Sequence, residues 1–267
     1  MSEMPEQALW SSCKYCGRHV HTEQWGPFLR CPFCGFPKRL TVEQRIDMTF
    51  DSDSFQKIDL NIKSKDQLHF EKYDDKLTKA QQKTKHDEAI TIGSAKIGNH
   101  LVATGIMDNQ FMVGTLNTTV GEGIRQIMEV ALEQRLPLVL FVTSGGARMQ
   151  EGIFSLLQMN TILAVQERLL DAGILNINIL TDPTMGGASA SFAFNSDYVL
   201  AEDHAQIGFS GKRVIEQTSG EQLPDEFQSA EYLLEHGQLD DVIQREKFKD
   251  TLQQLLDLHT AGDQNGK

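Results

Sequence analysis

From about residue 88 onward, apolar positions alternate between two kinds of spacing. Residues 89–95 and 100–107 flank the turn Ile97-Gly98-Asn99, which predicts a pair of strands. Residues 120–134 follow a helical period, with Ile124, Ile127, Met128, Ala131 and Leu132 on one face. Residues 136–142 form a short unbroken apolar run, the pattern of a strand buried on both faces, and 174–180 predict another buried strand. Between these runs, residues 149–170 predict a long, largely buried helix. Residues 188–194 predict a short helix, 198–201 and 206–209 further strands, and 230–236 and 248–258 closing helices. Buried strands alternating with helices mean α/β architecture.

Upstream the pattern changes. Residues 37–87 are polar, charge-rich and weakly periodic, and are expected to form a helical and irregular connector rather than a second core. Residues 10–36 hold all four cysteines and both tryptophans. The expected organisation is a tail at 1–9, a small metal-binding module at 10–36, the connector at 37–87, the α/β core at 88–258 and a tail at 259–267.

Composition narrows the possibilities. Hydrophobic residues make up 40% and charged residues 23%, an ordinary globular balance. The net charge of −12 repels phosphate backbones and argues against a nucleic-acid binder as a whole. Residues 1–45 are locally different, with six Lys/Arg against four acids. No basic n-region followed by an apolar stretch opens the chain, and no apolar run reaches the ~18 residues needed to span a bilayer, so a cytoplasmic protein is expected.

The cysteines fall as Cys13-Lys-Tyr-Cys16 and Cys31-Pro-Phe-Cys34, with fourteen residues between the pairs. Each C-x2-C turn presents two thiolates, and two such turns supply the four-sulfur tetrahedral shell that zinc prefers. Gly17 and Gly35 follow the pairs, where a positive φ suits a metal knuckle. A closed four-thiolate shell marks one structural Zn2+, and a module this small needs metal to fold. His19 and His21 are then exposed residues outside the shell.

Three glycine-bearing turns follow predicted strands: Thr143-Ser-Gly-Gly-Ala-Arg148-Met-Gln-Glu151, Thr181-Asp-Pro-Thr-Met-Gly186-Gly187-Ala-Ser-Ala-Ser191, and Gly208-Phe-Ser-Gly-Lys-Arg213. A Gly-Gly pair at a strand-to-helix turn lets backbone approach a ligand with its N–H groups outward, and two such groups can stabilise an oxyanion. A tight turn with no ligand is the alternative for either motif taken alone.

SGGARMQEG, TDPTMGGASASFA, GFSGKRVIEQT and residues 223–243, behind a four-cysteine ribbon, together resemble the β subunits of bacterial acetyl-CoA carboxylase carboxyltransferases. The resemblance runs from about Trp10 to Leu258. It implies a crotonase/ClpP-like spiral of ββα units after the zinc ribbon. It also implies transfer of carboxylate from biotin, supplied in trans on a carrier protein, to acetyl-CoA, giving malonyl-CoA in fatty acid synthesis. The implied partners are an α subunit in an α2β2 assembly, the biotin carboxyl carrier protein and, in the wider complex, biotin carboxylase. Carried onto this chain, the amides of Gly145 and Gly146 cradle the enolate oxygen. Gly186 and Gly187 shape the pocket floor, with Gly114 in the same pocket. Arg148, Lys212 and Arg213 face CoA phosphates, the α subunit or surface acids. The departing biotin serves as the base, so no protein general base is required. Where those subunits read Gly-Gly-Ser-Met-Gly-Ser-Val-Val-Gly-Glu, this chain has Val113-Gly-Thr-Leu-Asn117-Thr-Thr-Val-Gly121-Glu122. Asn117 tolerates left-handed backbone, so the turn is expected to survive.

Three other readings compete. Ser189 and Ser191, with His204 as the nearest base in sequence, would make a serine hydrolase. The basic, aromatic ribbon, with Tyr15, Trp25, Phe28 and Phe33, would bind nucleic acid weakly. Glu122, Glu151 or Glu216 would serve a stand-alone crotonase-like hydratase or hydrolase, although Glu151 and Glu216 also read as first-turn acids that complement a helix dipole.

Overall fold

A computed structural model describes residues 9–264 of the chain; the outer parts of both expected tails, 1–8 and 265–267, lie outside the described residues. The chain divides into two compact units at Leu40/Thr41. In the first, β1 (Trp10–Ser12) and β2 (His19–His21) pair antiparallel, and Cys13, Val20, Trp25 and Cys31 form a small core.

The second unit runs α1 (Val42–Thr49), β3 (Gln56–Ile58), α2 (Tyr73–Thr84), β4 (Ile90–Ile97), β5 (His100–Met107), α3 (Thr118–Gln134), β6 (Leu138–Ser144), α4 (Ile153–Asp171), β7 (Asn176–Met185), β8 (Tyr198–Glu202), β9 (Ile207–Gly208), α5 (Lys212–Ser219), α6 (Ala230–Glu235), β10 (Asp241–Ile243) and α7 (Phe248–Gln264). One sheet carries the order β10-β8-β7-β6-β5-β4-β3, and β9 extends it beside the end of β7. Pairing is parallel from β10 to β5 and antiparallel across β5, β4 and β3.

β6 shows why residues 138–142 are apolar at every position. Leu138, Leu140 and Val142 enter a core shared with α2, α3 and α4, while Val139 and Phe141 enter the opposite core under α1 and α7. Side chains alternate across a strand, so a sheet covered on both faces demands apolar residues at both parities.

Residues 41–87 differ from the expected connector. α1 starts in a capping box, Thr41 Oγ1 accepting the Gln44 N–H at 3.3 Å and Gln44 reaching back to the Thr41 N–H. β3 joins the sheet edge, and Tyr73, Leu77 and Ala80 of α2 are buried in the main core. The period is faint in the sequence because one alanine and one tyrosine supply two of those three core positions. The helix expected over 149–170 is also broken: a 3-10 turn over Met149–Glu151 ends at Gly152 (φ 52), and α4 begins there. Residues 186–191 are turns, with a 3-10 turn at Phe192–Phe194 in place of the short helix. Among the described residues, no helix is long and apolar enough to cross a membrane.

Candidate active site and metal centre

The first glycine turn leaves the end of β6, and its two expected donors are already engaged. The Gly145 N–H donates to the Val113 carbonyl at 2.8 Å, and the Gly146 N–H donates to Ser144 Oγ at 3.0 Å. This corrects the expectation that those two amides await a ligand. Ser144, one residue upstream and buried, is the acceptor that the glycine motif conceals. The turn is then clamped to the segment before α3: the Leu116 N–H donates to the Gly146 carbonyl and the Arg148 N–H to the Leu116 carbonyl.

Beneath the turn lies a charged floor. Arg148 has a fully buried side chain that grips Glu88 with two nitrogens, at 2.7 and 2.8 Å, and donates from Nε to Thr115 Oγ1. It is not a cation facing coenzyme A, because its guanidinium points into the protein. Asn117 Nδ2 reaches Glu151 Oε1 and Ser64 Oγ, both at 2.8 Å, and Glu88 Oε2 at 3.1 Å, while its Oδ1 accepts the Val120 N–H. Asn117 is therefore the N-cap of α3 in extended backbone (φ −137), not the left-handed residue expected. Left-handed geometry falls instead on Met112, Val113 and Gly114. Gly114 is buried, and an added Cβ would meet the Thr143 carbonyl oxygen at 2.5 Å, so it serves close backbone packing rather than lining a pocket.

Glu151 accepts the N–H and hydroxyl of Thr118, at 2.9 and 2.7 Å, and the Tyr73 hydroxyl at 2.7 Å. Burial alone would raise its carboxyl; these donors and Asn117 outweigh burial and hold it below its ordinary value. It thus complements the N-terminus of α3 rather than of its own helix.

The second glycine turn leaves β7. The Gly186 N–H donates to the carbonyls of Gly208 and Phe209, at 3.2 and 3.0 Å. The Ser189 hydroxyl lies 2.8 and 2.7 Å from the carbonyls of Gly186 and Gly208, and the Ser191 hydroxyl donates to Gly187 at 2.6 Å. Both serines donate to backbone and, among the described residues, neither has a histidine partner, which removes the hydrolase reading's nucleophile. His204 is exposed, beside Asp203 and Glu231.

The two turns touch. Gly186 has φ 65, and a Cβ placed on it would lie 2.9 Å from Gly146 Cα, so only glycine permits this approach. Next to that contact, the amides of Ala147 and Gly187 donate to no protein acceptor among the described residues. Both residues are half-buried. One free donor from each turn replaces the adjacent pair expected from sequence.

The remaining candidates divide. Lys212 donates to the Pro224 carbonyl at 2.7 Å and pairs with Asp225 at 3.3 Å; Arg213 is exposed on α5. Glu122 is held by Arg125 at 2.6 Å, and Glu216, in the middle of α5, accepts the Leu223 N–H. None of the three acids considered as a base is free of partners. On α4, Ile162, Val165 and Leu169 are buried, whereas Ile153, Leu156 and Leu157 stay exposed at i, i+3 and i+4, beside an exposed Met149. The helix is apolar on two sides and covered on one.

In the ribbon, the four sulfurs converge. Cys13–Cys34 and Cys16–Cys31 are 3.7 and 3.8 Å apart, and all four lie within 4.8 Å of one another. Zinc bound tetrahedrally at about 2.3 Å sets sulfur–sulfur edges of about 3.8 Å, so the donor set fits. Gly17 and Gly35 have φ 70 and 75 and donate back to the carbonyls of Cys13 and Cys31, closing each knuckle. Burial raises the Cys31 thiol, but the amides of Phe33 and Cys34 and the neighbouring thiols bring it down to about 7.

The carboxyl transferase domain family matches residues 38–246. Acetyl-coenzyme A carboxylase carboxyl transferase subunit beta 1 of Lactiplantibacillus plantarum is 45% identical over 96% of this chain and 96% of its own length. The chain belongs to the carboxyl transferase family, with the β subunits of acetyl-coenzyme A carboxylase. The Clostridium novyi subunit beta of that enzyme is 44% identical over 95% of this chain and 88% of its own. Among solved structures, transcarboxylase 12S with hydrolysed methylmalonyl-coenzyme A bound aligns with TM-score 0.70 at 26% identity, over 82% of this chain. This chain spans 41% of that one. A Pseudomonas malonate decarboxylase hetero-tetramer shares the fold at TM-score 0.64 and 20% identity. The carboxyl transferase core thus spans the touching glycine turns, and the crotonase-like α/β class expected from sequence holds.

Proposed function

We propose that this chain is the acetyl-CoA-binding half of a carboxyltransferase, working with an α subunit of the same fold to convert acetyl-CoA to malonyl-CoA. The observation that carries the site assignment is the contact between Gly146 and Gly186, which brings two unengaged amides, Ala147 and Gly187, to neighbouring turns. A thioester oxygen seated between them gains two preorganised donors as it becomes an enolate. Loss of one such donor costs about 2.7–4 kcal/mol of barrier in acyl-transfer enzymes with an oxyanion hole. The charged floor of Glu88, Arg148, Asn117 and Glu151 keeps the first turn from relaxing as charge develops. Biotin on its carrier protein supplies the carboxylate and the base, in keeping with a site whose carboxylates are all engaged.

The uncovered face of α4, with Met149 beside it, supports docking of the α subunit, since apolar residues at helical spacing demand a partner. Arg213 is the cation left to meet coenzyme A phosphates or that subunit. The four sulfurs of the ribbon hold one structural Zn2+, and thiols kept reduced for metal suit a cytoplasmic setting. Exposed Trp10, Tyr15 and Phe33, with Arg18 stacked 4.9 Å from the Phe33 ring, favour a second, weaker activity in nucleic-acid binding.

Mixing the chain with a candidate α subunit tests the main reading. Malonyl-CoA decarboxylation in the presence of a biotin derivative is expected from the mixture and not from either chain alone. Robust turnover by this chain alone would sink the half-enzyme assignment. One zinc per chain, released by thiol modification with loss of ribbon folding, is the expected metal stoichiometry.

A further inference from the structure

Residues 108–117 join β5 to α3 and hold the first glycine turn. Near the end of this segment, Leu116 and Ala147 pair in a single parallel bridge. The Leu116 N–H donates to the Gly146 carbonyl at 2.9 Å, and the Leu116 carbonyl accepts the Arg148 N–H at 2.8 Å. In such a bridge the backbone on either side of Ala147 faces Leu116, and the Ala147 amide itself is turned the other way. That open donor is therefore a product of where Leu116 stands. Val113 adds a second anchor, its carbonyl accepting the Gly145 N–H at 2.8 Å.

The segment winds up from its first residue in short turns. The Phe111 N–H donates to the Asp108 carbonyl at 3.3 Å, Gly114 to Phe111 at 2.9 Å and Thr115 to Met112 at 3.3 Å. The Asp108 side chain is only 3% exposed; Oδ1 accepts the Gln110 N–H at 2.8 Å, and Oδ2 lies 3.2 Å from His86 Nδ1. The other ring nitrogen, Nε2, lies 2.8 Å from Glu43 Oε1 on the first turn of α1. Among the described residues no lysine or arginine pairs with Asp108, so the imidazole is its counter-charge.

A neutral imidazole has one N–H, and between two carboxylates it aims a lone pair at one of them. Only the imidazolium donates to both. Asp108 holds the ring above its ordinary 6.5, and Glu43 adds to this, against the opposing effect of burial. The cleft beside the ring also presents Lys57, Asp59, Lys63 and Asp87, two charges of each sign.

We propose that His86 is a positioning residue for carboxyl transfer, its imidazolium fixing through Asp108 the segment that aims the Ala147 amide, so that loss of its proton slows turnover. The proposal rests on the reading that the thioester oxygen sits at that amide. A ring raised in the fold keeps its bridge complete below about pH 6.5 and loses it as pH rises through the higher folded value. The effect belongs in kcat, because the displaced donor acts on charge that develops during reaction.

The test follows kcat and KM for acetyl-CoA from pH 6 to 9, using this chain assembled with its α subunit and a carboxylated biotin carrier. Wild-type kcat is expected to fall on an alkaline limb while KM changes little. In Glu43→Gln the midpoint of that limb should move about half a pH unit toward acid, the size expected on removing one exposed carboxylate partner. In His86→Gln the limb should vanish, with kcat at pH 7 about tenfold below wild type. A merely structural role would lower the active fraction at every pH and leave the midpoint where it was. A flat wild-type profile, or a limb unmoved in Glu43→Gln, overturns the proposal while leaving the function intact. The same limb persisting in active His86→Gln does so too. If His86→Gln does not fold, Glu43→Gln decides, since Glu43 is 64% exposed. Absence of wild-type turnover at any pH would instead overturn the reading of the site, and the proposal with it.

Discussion

The two glycine turns are alike in sequence and unlike in support. Each follows a strand and carries Gly-Gly, yet the first rests on charge and the second on neutral backbone. Under the first lie Glu88, Arg148 and Glu151, bridged by Asn117. Under the second, Ser189 and the Gly186 amide fasten to the carbonyls of Gly208 and Phe209. The difference teaches that a glycine pair does not identify the donors. Neighbouring acceptors do: Ser144 and Val113 take the amides of the first pair, and the unengaged donor moves on to Ala147.

The largest effect expected from disturbing this arrangement is on the charged floor. Arg148→Met leaves Glu88 uncompensated at zero side-chain exposure, and should destabilise the chain by about 3–5 kcal/mol in urea unfolding. Equal stability of the variant would mean that the first turn does not depend on charge.

A smaller stability change but a sharp activity change is expected from Gly186→Ala. The new Cβ would sit 2.9 Å from Gly146 Cα, in backbone with φ 65, and would push the turns apart. The α-subunit assembly should lose about 10²-fold in kcat, comparable with loss of one oxyanion donor. Unaltered kcat would separate the turns' contact from catalysis.

Ser189→Ala tests the neutral support. It removes one hydroxyl donor shared by two carbonyls, and should cost about 1 kcal/mol in thermal unfolding. Wild type should also resist fluorophosphonate labelling at this serine; labelling would revive the hydrolase reading.

The mildest test is pH. Glu151 is held below its ordinary 4.5 by Thr118, Tyr73 and Asn117 against the opposing effect of burial. A depressed carboxyl contributes stability that is complete above about pH 4.5 and is lost as pH falls through the lower folded value. Glu151→Gln should therefore flatten the pH dependence of stability in that acidic window, measured by denaturant midpoints. Ser189 removes no titrating group when replaced, so Ser189→Ala should leave the slope as in wild type.

Much of the fold was legible because β6 is covered on both faces, so that residues 138–142 are apolar at both parities. The four-cysteine spacing was equally readable, since ligands sit close in sequence and the sulfurs need only two short turns. The segment 41–87 was not, because α2 buries only Tyr73, Leu77 and Ala80 through that stretch of charges. Within the site, Arg148, Lys212 and Arg213 looked alike as basic residues near glycine turns. Only packing separates them: one is buried against Glu88, one bridges a loop, and one is exposed.

By itself, the amino-acid order determined the family, the α/β layering and the four-sulfur cluster, because each depends on local periodicity or on motifs within a few tens of residues. Which amides stay open and where Asn117 points were decided by tertiary structure. Those outcomes depend on acceptors brought from residues 64, 88, 113 and 151 to a single turn, and a hydrogen bond's direction follows from proximity in space rather than along the chain.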